Sequence, residues 1–332
     1  MASTVNNAFN EFMKNIVNLD PNIVYSARKS RDNLLSNISE FNNQEDFFTL
    51  CSKFNVHFGS FSRKTKCREL DDIDLMIGIA ANGATYNSND PWDDMKILSN
   101  TEDPAQKVCT RDDGTLNSTK VINKFKKKLE NVREYSHSDI HRNGEAVVLN
   151  LISKEWSFDI VPCFHTVTED DGRDYYLIPN GKGNWKKTDP RKDKEHITTT
   201  NQNKDGQVLE LVRLVKKWNQ VNNNIFPSYL LETIIINFCD SQIKLDEWID
   251  VRFRKALEYI AENITKEIYD LKDIQGNINS LSTSEQQSIK NKVQADFKKA
   301  LTAAREEDNH NQKEAMEKWG EIFGKEFPKY SE

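Results

Sequence analysis

Residues 59–79 read GSFSRKTKCRELDDIDLMIGI. A Gly-Ser step leads into a basic run, and two acids then alternate with apolar residues at the head of a hydrophobic stretch. In a β-strand, side chains i and i+2 share a face. Asp72 and Asp74 therefore point the same way, about 6.6 Å apart at roughly 3.3 Å per residue. Ile73, Leu75, Ile77 and Ile79 take the opposite face, which is expected to be core. Asp71 points to that second face too and reads as a loop residue. Two carboxylates on one edge of a buried sheet repel each other, so they require a neutralising partner or water. A divalent cation meets that need, because Mg²⁺ favours one or two carboxylates completed by phosphate oxygens.

A third acid interrupts WSFDIVPCF (156–164), where Asp159 alternates with Phe158 and Ile160. A lone aspartate in such a strand is costly unless it is paired or metal-bound. Three carboxylates on adjacent strands can hold two metal ions. One would activate an attacking hydroxyl; the other would bind a triphosphate and stabilise the leaving oxygen. Gly59 and Ser60 offer N–H groups and a hydroxyl at a helix start, which suits phosphate. No Walker sequence occurs, so this is not a P-loop.

Working outward, Phe9, Phe12, Met13, Ile16 and Val17 fall on one helix face. Helices are expected over Pro21–Phe41, Gln44–Phe54 and Ser118–Glu134. Strands are expected over Asp72–Ile79, Glu145–Ile152, Glu155–Phe164 and Asp174–Ile178. Residues 81–117 are polar and read as a long insertion or loop. Beyond the loop at 179–194 the pattern is helical: Gln207–Val221, Ser228–Cys239, Leu245–Asn263, Ser282–Glu306 and Gln312–Phe323. The change divides the chain near residue 195, with an α+β part over 1–195 that includes the opening helices and a helical part over 196–332.

The 332 residues carry a net charge of −6, which argues against a surface built for a nucleic-acid backbone. The five cysteines are scattered with no CxxC, as in a reduced cytoplasmic protein. The N-terminus lacks the layout of a signal peptide, and no stretch approaches a membrane span. His137 and His141 stand four apart, but in a segment that reads as a loop entering a strand, so a metal role there is not favoured.

The Gly-Ser step, the Asp-Ile-Asp strand and the later strand aspartate resemble the active-site pattern of polymerase-β-like nucleotidyltransferases. LVRLVKKWN (211–219) and FPSYLLE (226–232) resemble the helical-half signatures of 2′,5′-oligoadenylate synthetase and cyclic GMP–AMP synthase. YSARKSRDNLLSNI (25–38) and GNWKKTDP (183–190) are similar to the bacterial members, the CD-NTases with a SMODS-type domain, which make cyclic oligonucleotide signals in CBASS antiphage defence. The resemblance spans about residues 5–240. It implies a mixed twisted sheet with flanking helices plus a C-terminal helical domain, two lobes with a cleft between them. It also implies a metal triad of Asp72, Asp74 and Asp159 holding two Mg²⁺ or Mn²⁺ ions. Gly59 and Ser60 would take the donor triphosphate, Arg213, Lys216 and Ser228 would take phosphate, and Tyr229 would stack on a base. Arg213 and Lys216, three apart, share a helix face, which by itself suits one polyanion.

The substrates implied are NTPs, ATP and/or GTP with pyrimidine NTPs as a further option, and the product would act on a separate effector protein. The zinc insert of the animal cyclic GMP–AMP synthases is absent, and the acidic balance gives no sign of a nucleic-acid activator. Two alternatives remain open from the residues: a nucleotidyltransferase that modifies RNA ends or a protein, and a catalytically inert nucleotide-binding module.

Overall fold

The structure, a computed structural model, describes residues 2–43 and 46–331. In chain order it contains α1 (Val5–Phe12), α2 (Pro21–Ser39), β1 (Val56–Phe58), α3 (Gly59–Arg63), β2 (Asp72–Ile79), β3 (Thr85–Tyr86), β4 (Ile97–Leu98), α4 (Pro104–Lys107), α5 (Ser118–Glu130), β5 (Asp139–Asn143), β6 (Ala146–Asn150), β7 (Ser157–His165), β8 (Tyr176–Pro179), β9 (Trp185–Thr188), α6 (Pro190–Asn203), α7 (Gln207–Val221), α8 (Ser228–Ser241), α9 (Ile249–Asn263), α10 (Thr283–Asp308) and α11 (Gln312–Phe323). By packing, the chain forms two units. One gathers Asn22–Arg63 and Leu70–Lys194, the other Met1–Pro21, Lys64–Glu69 and Glu195–Glu332.

The first unit is built on a mixed sheet in the order β1-β2-β7-β6-β5, with β8 and β9 continuing from the end of β7. β2 and β7 are parallel and the other neighbours antiparallel. The alternation of β2 appears as expected: Ile73, Leu75, Ile77 and Ile79 are buried. Helix α5 lies against β5, β6, β7 and β8 and buries Val121, Ile122, Phe125 and Leu129. Asn117 caps α5, its side chain accepting from the Thr119 and Lys120 N–H groups. On the aspartate side of the sheet, Met76, Val161 and Cys163 form a smaller cluster with Phe54, Val56 and Phe58 packed on it.

The helix expected over Gln44–Phe54 does not form where the structure describes it; Gln44 and Glu45 lie outside the described residues. Between 46 and 54 there is only a 3₁₀ turn at Ser52–Phe54. The segment instead pairs with the end of β2: the Cys51 N–H donates to Gly78 O at 2.7 Å and the Ala80 N–H to Thr49 O at 2.8 Å. Phe47 and Phe48 meanwhile both pack on Phe125, with ring centroids 4.9 and 6.2 Å away. The expected loop at 81–117 contains the small β3–β4 ribbon and α4. The stretch read as a loop at 179–194 contains β9 and the start of α6.

The second unit is helical and has one large core. The opening helix belongs here, whereas the boundary near 195 grouped it with the sheet. The reason is aromatic packing. Phe9 meets Trp319 edge-on at 4.9 Å, and Phe12 reaches Phe323 at 5.1 Å and Phe327 at 5.3 Å. Phe9 is fully buried. Phe9→Ala is therefore expected to destabilise this unit by about 3–5 kcal/mol, the usual cost of truncating a buried phenylalanine. Chemical denaturation measures it, and a loss below about 1 kcal/mol would show that α1 is only loosely docked.

Candidate active site

The parallel register sets Asp74 level with Asp159 and Asp72 level with Ser157. Residues level on neighbouring parallel strands point to one face, so all three carboxylates share it. Ile73, Leu75, Phe158 and Ile160 fill the buried opposite face. The three aspartates are each partly buried. Adjacent strands lie about 4.8 Å apart. Two ionised carboxylates at about 5 Å repel by about 3 kcal/mol at an effective dielectric of about 20.

Strand β1 runs antiparallel to β2 with Phe58 level with Asp74, and the chain turns directly into α3 at Gly59. Gly59 has φ +68°, and a Cβ there would stand 1.7 Å from Asp74 Oδ2 and 2.5 Å from its Cγ. Glycine is thus required twice, for the left-handed backbone and for the close approach to a carboxylate. Ser60 follows in the first turn of α3. The rest of this short helix is pinned. Ser62 Oγ donates to His57 O at 2.7 Å and accepts from Lys194 Nζ at 3.0 Å, and Arg63 pairs with the buried Asp193 at 3.2 Å. Burial, with Arg31 and Lys194 nearby, holds the His57 imidazole below its ordinary value and so neutral at pH 7.

As placed, no group of three or more His, Cys, Asp or Glu side chains among the described residues is arranged to hold a metal ion. The donor chemistry of the Asp74–Asp159 edge nonetheless fits Mg²⁺ or Mn²⁺. It offers hard carboxylate oxygens level on two strands, beside a turn that any side chain at 59 would fill.

Arg213, Lys216, Ser228 and Tyr229 lie in the helical unit. Ser228 is exposed in the first turn of α8. Lys216 pairs at 2.5 Å with Glu232, whose side chain is only 2% exposed and whose other oxygen accepts from Thr65 Oγ1 at 2.9 Å. Arg213 donates from Nε to Asn18 Oδ1 and from Nη1 to Lys64 O, each at 2.7 Å. Burial lowers the Arg213 guanidinium from its ordinary value, Glu210 and Cys67 opposing. The shared helix face thus holds these two cations against protein partners. Lys216→Met would strand the Glu232 carboxylate, with an expected loss of about 3–5 kcal/mol in chemical denaturation. A variant that stays stable while its KM for nucleotide rises would instead mark Lys216 as a phosphate ligand first.

The sequence reading did not single out Glu232, nor Asp270 and Lys272, which meet Tyr229. Glu232 offered one signal: an acid four residues beyond Ser228, set between Leu230–Leu231 and Ile234–Ile236. Asp270 and Lys272 sit in a loop whose packing against α8 no local pattern announces.

A mixed sheet with aspartates level on two parallel strands, and a glycine-opened turn closing on one of them, is the core of a polymerase-β-like nucleotidyltransferase. Comparisons with known proteins narrow this. The Second Messenger Oligonucleotide or Dinucleotide Synthetase domain, SMODS, matches residues 102–201, a span that includes Asp159. The chain is 40% identical to a Bacillus cereus (strain VD146) protein named "Probable cyclic nucleotide synthase", over 100% of both chains. Two structures of the CdnC protein of E. coli MS115-1 share the fold at 15% identity, each covering 97% of this chain and 98% of that one. One is a complex with HORMA-deltaN, with a TM-score of 0.70, and the other contains ATP, with a TM-score of 0.71. The chain belongs to the bacterial CD-NTase family of nucleotidyltransferases.

Proposed function

We propose that this enzyme condenses nucleoside triphosphates into a cyclic oligonucleotide second messenger in the cytoplasm, as part of CBASS antiphage signalling. The observation that carries the reading is the level placement of Asp74 and Asp159 with Gly59 closed onto Asp74. Whole-length similarity to a protein named as a cyclic nucleotide synthase supports it, and ATP in an E. coli relative favours an NTP donor. Five free cysteines accord with a reducing compartment.

In this proposal Asp72, Asp74 and Asp159 hold two Mg²⁺ or Mn²⁺ ions. Such ions, when bound, lower the pKa of an attacking hydroxyl and neutralise a departing pyrophosphate. Gly59 and Ser60 bind the donor triphosphate through N–H groups and the hydroxyl at the start of α3. Ser228 adds a hydroxyl, Arg213 and Lys216 add charge, and Tyr229 stacks on a base. Asp159 accepts the proton of a 2′ or 3′ hydroxyl. That oxygen bonds to the α-phosphorus in line while the bond to pyrophosphate breaks. A second transfer within the linear product closes the ring and releases a second pyrophosphate for a dinucleotide. The product then acts on a separate effector.

The test is incubation of the purified protein with single and paired NTPs and Mg²⁺ or Mn²⁺, followed by phosphatase digestion and mass spectrometry. A phosphatase-resistant cyclic species with one pyrophosphate per linkage is expected. Label transferred to added RNA or protein would point to a macromolecule-modifying enzyme. Nucleotide binding without pyrophosphate would point to an inert module.

A further inference from the structure

Tyr229 is held from two directions within its own unit. Its hydroxyl donates to Asp270 Oδ1 at 2.6 Å, and Lys272 Nζ lies 4.0 Å from its ring centroid. Both partners come from the loop between α9 and α10. That loop is itself organised around Asp270. Its Oδ1 also accepts from the Lys272 N–H at 3.1 Å, and its Oδ2 accepts from the Gln275 N–H at 3.3 Å. The Lys272 ammonium stands 3.4 Å from Oδ1. Backbone bonds from Asp270 N–H to Gly276 O (2.9 Å) and from Ile278 N–H to Ile268 O (2.7 Å) close the loop on itself. Asn279 fastens its far end, donating to the Ile264 and Lys266 carbonyls at 2.8 and 2.9 Å. Burial resists ionisation of Asp270, but Lys272 and the Tyr229 hydroxyl hold its carboxyl below the usual range. A rigid loop thus directs one buried carboxylate and one ammonium at a single tyrosine.

We infer that Asp270 and Lys272 are positioning residues for base recognition: Asp270 fixes the Tyr229 ring through its hydroxyl and Lys272 braces the ring, so that its orientation is already set when a substrate nucleobase stacks on it. This rests on the reading of Tyr229 as the base-stacking residue. The physical gain is preorganisation. A tyrosine that must be immobilised on binding gives up affinity, whereas one already locked does not. A cation over one ring face is itself an attractive contact and resists turning of the ring.

The experiment measures both binding and turnover. Binding is followed by the fluorescence of 1,N6-ethenoadenosine triphosphate and of pyrrolo-cytidine triphosphate, and turnover by pyrophosphate release. Tyr229→Phe keeps the ring and the fold but loses the anchor. It is expected to weaken binding and raise KM about tenfold with kcat nearly unchanged. Asp270→Ala should give the same shift, and the double variant no further shift, because the two side chains act as one unit. Asp270→Asn, whose amide oxygen still accepts from the hydroxyl, should recover most of the affinity. Tyr229→Ala separates the two readings. If it weakens binding while Tyr229→Phe and Asp270→Ala do not, base stacking stands and the positioning role is overturned. If Tyr229→Ala leaves binding unchanged, the stacking reading itself falls.

Discussion

Asp74→Ala is expected to lower nucleotidyl transfer by on the order of 10³-fold or more, since the metal-holding role proposed for this carboxylate would support several kcal/mol of charge stabilisation at the transition state. The expectation follows from register. Asp74 is level with Asp159 across two parallel strands, and Gly59 is closed onto its carboxylate. Asp159→Ala should fall as far, because it removes the partner carboxylate and the group proposed to take the acceptor proton. Both variants should remain folded, because one carboxylate on this edge no longer repels another. Pyrophosphate release and circular dichroism together check this. Activity within tenfold of the unmodified enzyme in either variant would remove the aspartates from the chemistry.

The second large effect is expected at Gly59. Gly59→Ala places a Cβ 1.7 Å from Asp74 Oδ2, a contact that cannot exist without displacing the carboxylate or the turn. Displacement of a reacting group by about 1 Å can cost about 10²-fold in rate, and that loss is the expected result. The control is Gly114→Ala. Gly114 also has a left-handed backbone, φ +79°, but a Cβ there meets nothing within 4 Å. It should lose only the conformational preference, about 1 kcal/mol of stability, with turnover unchanged. Equal losses of activity in the two variants would mean that backbone strain, and not the approach to Asp74, is what matters at position 59.

The parts of this fold that could be read in the sequence are those whose burial is set by a single strand or helix. The alternation of β2 and the interruption of β7 by Asp159 follow from the pleat, and the structure places the acids on one face. The helices after 207 show the same directness, down to Ser282 and Glu285 forming a reciprocal cap at the start of α10. Other parts depend on partners distant in sequence. β9 is Trp185 followed by two lysines and a threonine, with no apolar alternation. It is a strand because it pairs with β8 and because Met95 and Trp185 exchange backbone bonds at 2.8 and 3.0 Å. Some signals were present and outweighed. Asn143-Gly144 before an apolar run is a hairpin signature, and β5 and β6 form that hairpin with Asn143 level with Ala146. Asp189-Pro190 is a helix start inside a polar stretch, and the Asp189 carboxylate accepts from the Arg191 N–H at 3.2 Å. In the site, carboxylate placement follows from strand period. The inward engagement of Lys216 with Glu232 could not be read, because a basic helix face looks alike in sequence whether it meets phosphate or a buried acid.

The most direct test of the central claim is Mn²⁺ uptake, followed by electron paramagnetic resonance, in the presence of α,β-methylene ATP, which cannot release pyrophosphate. The protein should take up Mn²⁺ with the nucleotide, Asp74→Asn and Asp159→Asn should abolish that uptake, and Asp71→Asn, altering an exposed acid just outside β2, should not. Undiminished uptake by the Asp159→Asn protein would contradict the account.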